Sequence, residues 1–538
     1  MTIVITRRTE LLSTAPQISV DDIEEIVAQG FKTIINNRPD GEGGPSQPAN
    51  AEIEAAARQH GLQYAYLPVI SGQITEAQTA QFAALIASSQ APVLAFCRSG
   101  ARSNNLFQMA SALPVAAAAE RTASLAKAGK NPWKDQHDIV IVGGGSAGIG
   151  LAASLLRRQA DLQIAIIEPK DKHYYQPAWT LVGAGEFNAK NTERNMADVI
   201  PRGVTWIRAS VTGFSPEKNQ VQIDCGNPIT YTNLIVAPGL QLNWDAIPGL
   251  QEALGKNGVT SNYRFDLAPY TWSLVQSMKS GKAIFTQPPM PIKCAGAPQK
   301  AMYLSCSEWE KQGVLKNIKV EFDNAGGVLF GVPTFVPPLM EYVKRYAIDL
   351  QFNARLISVN GPAKTARFEV KDAEGNLQQI EKSFDMLHVV PPQSAPDFVK
   401  NSPLANAEGW VDVDQVTLQH TRHRNIFSLG DACSSPNAKT AAAVRKQIVV
   451  VAENLLALRA GRSLQTRYDG YGSCPLTVEK GRIVLAEFGF GGKLLPTFPL
   501  NPAIPRVSAW LLKKHLLPVV YWELMLKGRE WLARPSEQ

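Results

Sequence analysis

His137-Asp-Ile-Val-Ile-Val142-Gly143-Gly-Gly145-Ser-Ala-Gly148 is an apolar run that ends in a glycine turn. The run predicts a buried strand, and the turn matches G-x-G-x-x-G. A helix is expected from Ile149 to Arg158. A second strand, Gln163-Ile-Ala-Ile-Ile167, then ends at Glu168. Strand, glycine turn, helix and acid are the four parts a dinucleotide site requires. Gly143 permits the tight turn, Gly145 lets backbone approach a pyrophosphate, and Gly148 lets helix and strand close up. Glu168 stands where an acid meets ribose hydroxyls. A glycine-rich turn with no ligand would not need all four.

Working outward, Arg424-Asn-Ile-Phe-Ser-Leu-Gly430-Asp431 reads as a distant buried strand ending in Gly-Asp. Asp431 resembles the aspartate that contacts the flavin ribityl chain in two-dinucleotide-domain flavoproteins. Asn233-Leu-Ile-Val-Ala-Pro-Gly239 resembles their mid-domain strand and turn. The resemblance implies FAD as cofactor, with Gly239 and Asp431 beside it. Flavin disulfide reductases carry a Cys-x4-Cys pair after the first βαβ unit. This chain has His173-Tyr-Tyr-Gln-Pro177 there. They also carry a second glycine fingerprint for NAD(P)H. Here the matching strand, Lys282-Ala-Ile-Phe-Thr286, runs into Gln287-Pro-Pro-Met-Pro-Ile-Lys-Cys294. Prolines without glycines cannot cradle a pyrophosphate in that way, so nicotinamide is not the expected electron partner.

Lys293-Cys294-Ala-Gly-Ala-Pro-Gln-Lys300 and Tyr468-Asp-Gly-Tyr-Gly-Ser-Cys474-Pro475 resemble segments of the sulfide:quinone oxidoreductases, in the branch that includes the mitochondrial enzymes. Tyr174 to Gly185, Met386 to Pro392, Gly409 to Asp414 and Asn437 to Ala443 add matches, so the resemblance covers essentially all of residues 135–535. It implies that Cys294 and Cys474 form a redox-active disulfide over the flavin, with Cys474 carrying the persulfide and Cys294 facing the ring. It further implies sulfide as substrate, quinone as electron acceptor, and Lys439 among the cofactor-binding residues. Lys300 reads equally as an aid to thiolate formation or as a solvated helix residue. Cys225, Cys306 and Cys433 read as structural, as do the lone histidines His173 and His388.

Upstream, Val93-Leu-Ala-Phe96 predicts a strand running into Cys97-Arg-Ser-Gly-Ala-Arg102. A cysteine after a strand and at a helix N-terminus is ringed by backbone amides that favour its thiolate and bind anions. Arg102 is expected to join that ring. Tyrosine phosphatases use Cys-x5-Arg, whereas this loop is Cys-x4-Arg, a length that fits rhodanese-type sulfurtransferases. Gly30 to Asp40 and the loop itself resemble phosphatase-fold sulfurtransferase modules found fused to persulfide-handling proteins. Arg38 and Asp40 read either as lining the site or as a loop salt bridge.

The expected fold class is α/β throughout. Residues 1–112 form a dual-specificity-phosphatase-like domain and 113–135 a linker. An FAD domain spans 136–265 and 400–460, and a second Rossmann-like domain spans 266–399. Residues 461–538 form a C-terminal region with a redox cysteine and amphipathic helices. That last segment mixes Trp510, Lys513, Lys514, Tyr521 and Trp522 with short apolar runs. It reads equally as a helix pair capping the domain or as a monotopic membrane contact, and a lipid quinone favours the latter.

The chain has 538 residues, a formal net charge of +7 and 19% charged residues. The basic excess is not gathered into runs, so nucleic-acid binding is not expected. The six scattered cysteines form no Cys-x-x-Cys pair, so neither zinc nor a secreted disulfide framework is expected. A reducing cytoplasmic setting is expected, with peripheral attachment to the inner face of the cell membrane. The leading expectation is sulfide:quinone oxidation coupled to sulfur transfer at Cys97, with a small thiol or sulfite as acceptor. Two alternatives are a phosphatase joined to an NADH:quinone dehydrogenase and a non-enzymatic sulfide sensor. Oligomeric state is left open.

Overall fold

The computed structural model describes residues 3–70, 74–111, 133–372 and 374–533. Residues 113–132 of the expected linker lie outside them. The chain divides into two compact units, Met1–Lys134 and Asp135–Gln538.

The first unit is built on β1 (Thr6–Arg7), β2 (Leu12–Ala15), β3 (Thr33–Asn36), β4 (Gln63–Tyr66) and β5 (Val93–Phe96). Their order is β1-β2-β5-β3-β4, with β1 antiparallel to β2 and the other pairs parallel. β2, β3 and β5 are buried at every position, as parallel strands covered on both faces must be. The helices are α1 (Ile23–Ala28), α2 (Asn50–Gln59), α3 (Glu76–Ser88) and α4 (Ala101–Ser111). One core gathers Ile23, Ile26, Ile53 and Phe96, and another gathers Val69, Phe82, Val93 and Leu106. Cys97 follows β5 directly, at the carboxyl edge of the parallel strands, where open α/β sheets place ligands.

In the second unit the first sheet has seven strands. Gln136–Val142 lies at its centre, parallel to Ile164–Ile167 on one side and to Ile229–Val236 on the other. Ile426–Ser428 pairs in parallel with the end of Ile229–Val236. This brings Asp431 to the same sheet edge as the fingerprint, although some 280 residues of chain separate them. The fingerprint helix spans Ser146–Arg158, three residues earlier than the apolar periodicity alone suggests, because the glycine turn itself provides the N-cap at Gly145.

A second sheet of five parallel strands includes Gly281–Gln287 and Ile318–Asn324. Between those two strands lies the helix Ala297–Lys311. Where a nucleotide-binding sheet would offer an acid at the end of its second strand, Asp323 is fully buried and accepts from Lys382 Nζ at 2.6 Å. Glu321 on the same strand pairs with Lys282 at 2.6 Å. The hairpin Gly472–Glu479 with Arg482–Phe488 packs Cys474, Leu476 and Val478 into one core with Met302, Cys306 and Trp309 of that helix. Burying each such side chain contributes roughly 1.5–3 kcal/mol, so the hairpin is fixed on the helix rather than draped over it.

The C-terminal residues Val507–Lys527 form a nearly continuous helical run with two π segments. Ala509, Trp510, Lys513, Tyr521 and Met525 point inward. Val507, Leu511, Leu516 and Val519 are each 43–52% exposed. The segment is therefore a cap on the domain that also carries an outward apolar face. Among the described residues no helix is long and apolar enough to cross a membrane.

Candidate active site

The fingerprint glycines are set by close approach. A Cβ on Gly148 would lie 2.0 Å from Gly143 O, and one on Gly143 would lie 2.4 Å from Ala237 O. A Cβ on Gly145, by contrast, meets nothing within 4 Å. The helix therefore packs tightly underneath and leaves room above its N-terminus, a cradle that fits a pyrophosphate. Glu168 accepts from Gly144 N at 2.8 Å and Lys170 N at 2.9 Å. Gly239, at φ +78°, also faces open space. Asp431 is half-buried, and desolvation holds its carboxyl above the usual range against the pull of Lys439 and Lys293. These residues fit the FAD expected from the sequence.

Lys439, expected among the cofactor-binding residues, bridges parts of the protein. Its Nζ donates to Asp431 O at 2.7 Å and Cys433 O at 3.1 Å, and it sits 4.2 Å over the Trp410 ring. Its own backbone oxygen accepts from Cys294 N at 2.8 Å. Its ammonium is committed to protein, so it ties the Asp431 loop to the Cys294 turn.

Cys294 and Cys474 come together across 180 residues. Both are free thiols, with Sγ atoms 3.7 Å apart. Cys294 occupies the left-handed region at φ +50°, just before the Ala297–Lys311 helix. Gly296 between them must be glycine, because a Cβ there would lie 2.6 Å from Cys474 Sγ. The helix N-terminus that would meet a pyrophosphate in a nicotinamide domain meets a sulfur here. Lys300, 2% exposed, places Nζ 3.0 Å from Cys294 Sγ. The Cys474 thiol and Lys300 hold the Cys294 thiol well below its usual range, whereas hydrogen bonding to Cys294 and burial push Cys474 well above. Cys294 is thus the thiolate of the pair. Burial opposes charge on Lys300, but the two sulfurs outweigh it and raise its pKa. Of its two sequence readings, the solvated helix residue is excluded.

Lys513 is a site residue that the sequence reading missed. It is 6% exposed, lies 3.5 Å from Thr180 Oγ1, and its charge acts on both sulfurs. Burial and the nearby Lys300 lower its pKa to about 7. The spacing Ala509, Lys513, Leu517 carried the signal, since it puts Lys513 on the inward face of the helix.

Cys306, Cys433, Cys225, His173 and His388, read from the sequence as structural, each lie in the core or bond to protein. Cys306 is fully buried in the core, and Cys433 Sγ donates to Gly430 O at 3.2 Å. Cys225 is half-buried beside Asp224, its thiol pushed up to about 12 by burial and that carboxylate. His173 bonds Gly144 O at 3.0 Å and Tyr521 Oη at 2.6 Å. His388 Nε2 accepts from Asn262 N at 2.9 Å.

In the first unit Cys97 is 1% exposed. Gly100 has φ +82°, and a Cβ there would lie 3.3 Å from the Ala15 carbonyl, so the loop closes tightly on β2. The Arg102 guanidinium is held by the protein. Nη1 donates to Val69 O at 2.6 Å and Asn37 O at 3.4 Å, and Nη2 donates to Glu42 Oε1 at 2.5 Å. Arg38 takes the salt-bridge alternative, with Nε 2.7 Å from Glu42 Oε2. Asp40 does not join the arginines; it accepts from Asn50 N at 2.7 Å, at the start of α2.

Residues 5–114 match the family described as beta-lactamase hydrolase-like protein, phosphatase-like domain, and residues 137–275 match pyridine nucleotide-disulphide oxidoreductase. Over 107 residues the chain is 41% identical to the beta-lactamase hydrolase-like protein of Agrobacterium fabrum, covering 20% of this chain and 25% of that one. The crystal structure of the sulfide:quinone oxidoreductase from Aquifex aeolicus has the same fold, with a TM-score of 0.62, 18% identity, and coverage of 73% of this chain and 92% of that one. The mitochondrial sulfide:quinone oxidoreductase of Dictyostelium discoideum is 42% identical over 410 residues, 75% of this chain and 89% of that one. With that identity across nearly the whole of the relative, and the thiol pair seated at the helix end, the chain belongs to the sulfide:quinone oxidoreductase family, with a beta-lactamase hydrolase-like phosphatase-type domain at its N-terminus.

Proposed function

We propose that this chain oxidises sulfide at Cys294 and Cys474, with FAD bound at the fingerprint and a quinone as electron acceptor, and moves the sulfane sulfur onward through Cys97. The observation that carries the reading is the 3.7 Å thiol pair with the buried Lys300 Nζ 3.0 Å from Cys294 Sγ. In the disulfide state, hydrosulfide attacks Cys474 Sγ. The S–S bond breaks, Cys294 leaves as a thiolate, and Cys474 keeps the added sulfur as a persulfide. Cys294 is the better leaving group because Lys300 and the helix N-terminus stabilise its charge. Bound FAD would supply the two-electron acceptor that allows the disulfide to reform, with the quinone as final oxidant. Lys513 near the sulfurs takes or gives a proton around neutral pH. A small thiol attacks the outer sulfur of the persulfide and carries it to Cys97, whereas sulfite as acceptor would take the sulfur away as thiosulfate. The exposed face formed by Val507, Leu511, Leu516 and Val519 supports seating on the membrane that dissolves the quinone.

The test is sulfide-dependent quinone reduction by the full-length protein. Cys294→Ser and Cys474→Ser should abolish it. Cys97→Ser should leave it intact while losing sulfur label at position 97. Full turnover in both flavin-domain variants would sink the reading.

A further inference from the structure

The glutamate between the two arginines of the first unit has no place in the chemistry above. Glu42 is 5% exposed, Arg102 5% and Arg38 8% at their side chains. One carboxylate oxygen meets each guanidinium, at 2.7 and 2.5 Å. Three buried charges thus sum to +1, where a bare arginine pair would present +2. The arrangement is built rather than incidental. Glu42 rides on Pro39-Asp-Gly-Glu-Gly-Gly44, with Gly41 at φ +76° and Gly44 at φ +72°. A Cβ on Gly43 would lie 2.5 Å from Arg38 Nη2, so the loop closes directly against the guanidinium.

The fork adjoins the Cys97 loop. Arg102 is the last residue of Cys-x4-Arg, Asn37 N donates to Phe96 O at 2.8 Å, and Arg38 Nη1 reaches Gln17, whose N donates to Arg98 O. Arg102 Nε, although buried, has no hydrogen-bond partner among the described residues. A buried guanidinium N–H left unpaired is costly, and a bound ligand would satisfy it.

We propose that Glu42 is the specificity-determining residue of the Cys97 site, a resident anion that keeps dianionic tetrahedral oxyanions out and leaves the site to persulfides of small thiols. The proposal rests on the sulfur-transfer reading of Cys97. In that step the Cys97 thiolate attacks the outer sulfur of R–S–SH. The new S–S bond forms as the donor's breaks, and R–S⁻ departs, so no oxidant is required. A neutral or monoanionic donor fits a cluster of charge +1. A phosphate monoester or thiosulfate brings two negative charges against the Glu42 carboxylate and must displace it.

The experiment compares full-length wild type with Glu42→Gln. Sulfide:quinone turnover should not change. Sulfur transfer is measured from glutathione persulfide and from thiosulfate, with inorganic phosphate as inhibitor. In Glu42→Gln, phosphate inhibition should tighten about tenfold and kcat/KM for thiosulfate should rise by a similar factor, the scale expected when one charge of a buried cluster is removed. Transfer from glutathione persulfide should stay within about threefold. Unchanged phosphate and thiosulfate values overturn the proposal, as does an equal loss with every donor. Should Glu42→Gln not fold, Glu42→Asp keeps the charge but shortens the reach between the guanidiniums, and should show an intermediate gain for phosphate. No gain there overturns it too. Phosphate binding by calorimetry on Cys97→Ser, with and without Glu42→Gln, reads the fork without any sulfur transfer. Retention of transfer by Cys97→Ser would therefore refute the reading of Cys97 while leaving the answer on Glu42 separate.

Discussion

Lys300 Nζ lies 3.0 Å from Cys294 Sγ, six residues along the chain and one helical turn into the helix that Cys294 precedes. This contact breaks the symmetry of the thiol pair. Cys474 touches the same cluster but sits in the apolar hairpin core, so negative charge settles on Cys294.

Replacing Lys300 should therefore change acidity before it changes structure. Lys300→Met in the reduced protein should move the pH midpoint of Cys294 alkylation upward by at least one unit, and turnover should fall on the order of 10- to 100-fold. Lys300→Arg keeps the charge and should recover part of the rate. Equal alkylation profiles in wild type and Lys300→Met would refute the assignment.

Lys513 titrates at about 7, charged below that pH and neutral above it. The pH–rate profile of sulfide oxidation should carry a limb near neutrality that disappears in Lys513→Met, with the flavin content unchanged. A limb that survives the substitution belongs to another group.

Acid should destabilise the second unit through three buried histidines. His173, His388 and His420 are each pushed down to about 4 by burial. Each also uses one ring nitrogen as an acceptor, from Tyr521 Oη, Asn262 N and Arg422 N respectively. The folded pKa values lie below the unfolded value of 6.5. The stability they contribute is thus fully present above pH 6.5 and is lost as the pH falls through 6.5 towards 4. At pH 5 the loss is on the order of 2 kcal/mol for each histidine. Thermal melts of the holoprotein between pH 7.5 and 4.5 should show the decline, and His388→Gln should make it shallower. A flat profile would contradict the burial argument.

The outward apolar face makes a prediction about lipid. The full-length protein should float with quinone-containing liposomes, and Leu511→Glu with Val519→Glu should release it without loss of activity towards a soluble quinone analogue. Both positions are about half exposed, so neither change opens the core.

The strand–turn–helix around the fingerprint was legible because its determinants are local. Gly143, Gly145, Gly148 and Glu168 sit on one βαβ unit, and their spacing encodes the turn. Cys294 and Cys474 were legible only through resemblance, since nothing local pairs residues 180 positions apart. Lys513 was hidden by its neighbours. Lys514 beside it pairs with Glu186 at a partly buried position, so the two lysines look alike in sequence but point to different faces of the helix. Glu42 was half hidden: its pairing with Arg38 is local, four residues apart, but Arg102 lies 60 residues on and meets it only when the first sheet closes.

The buried ion pair of Lys382 with Asp323 has a consequence for how this scaffold can change. Giving the second sheet a nicotinamide site would require freeing Asp323, which leaves the Lys382 ammonium to Glu321 alone, and re-forming the proline turn that ends at Cys294. Each change alone is a loss, the first because it breaks up a buried cluster in which Lys382 serves both Asp323 and Glu321. Single substitutions in this sheet therefore do not build a nicotinamide site.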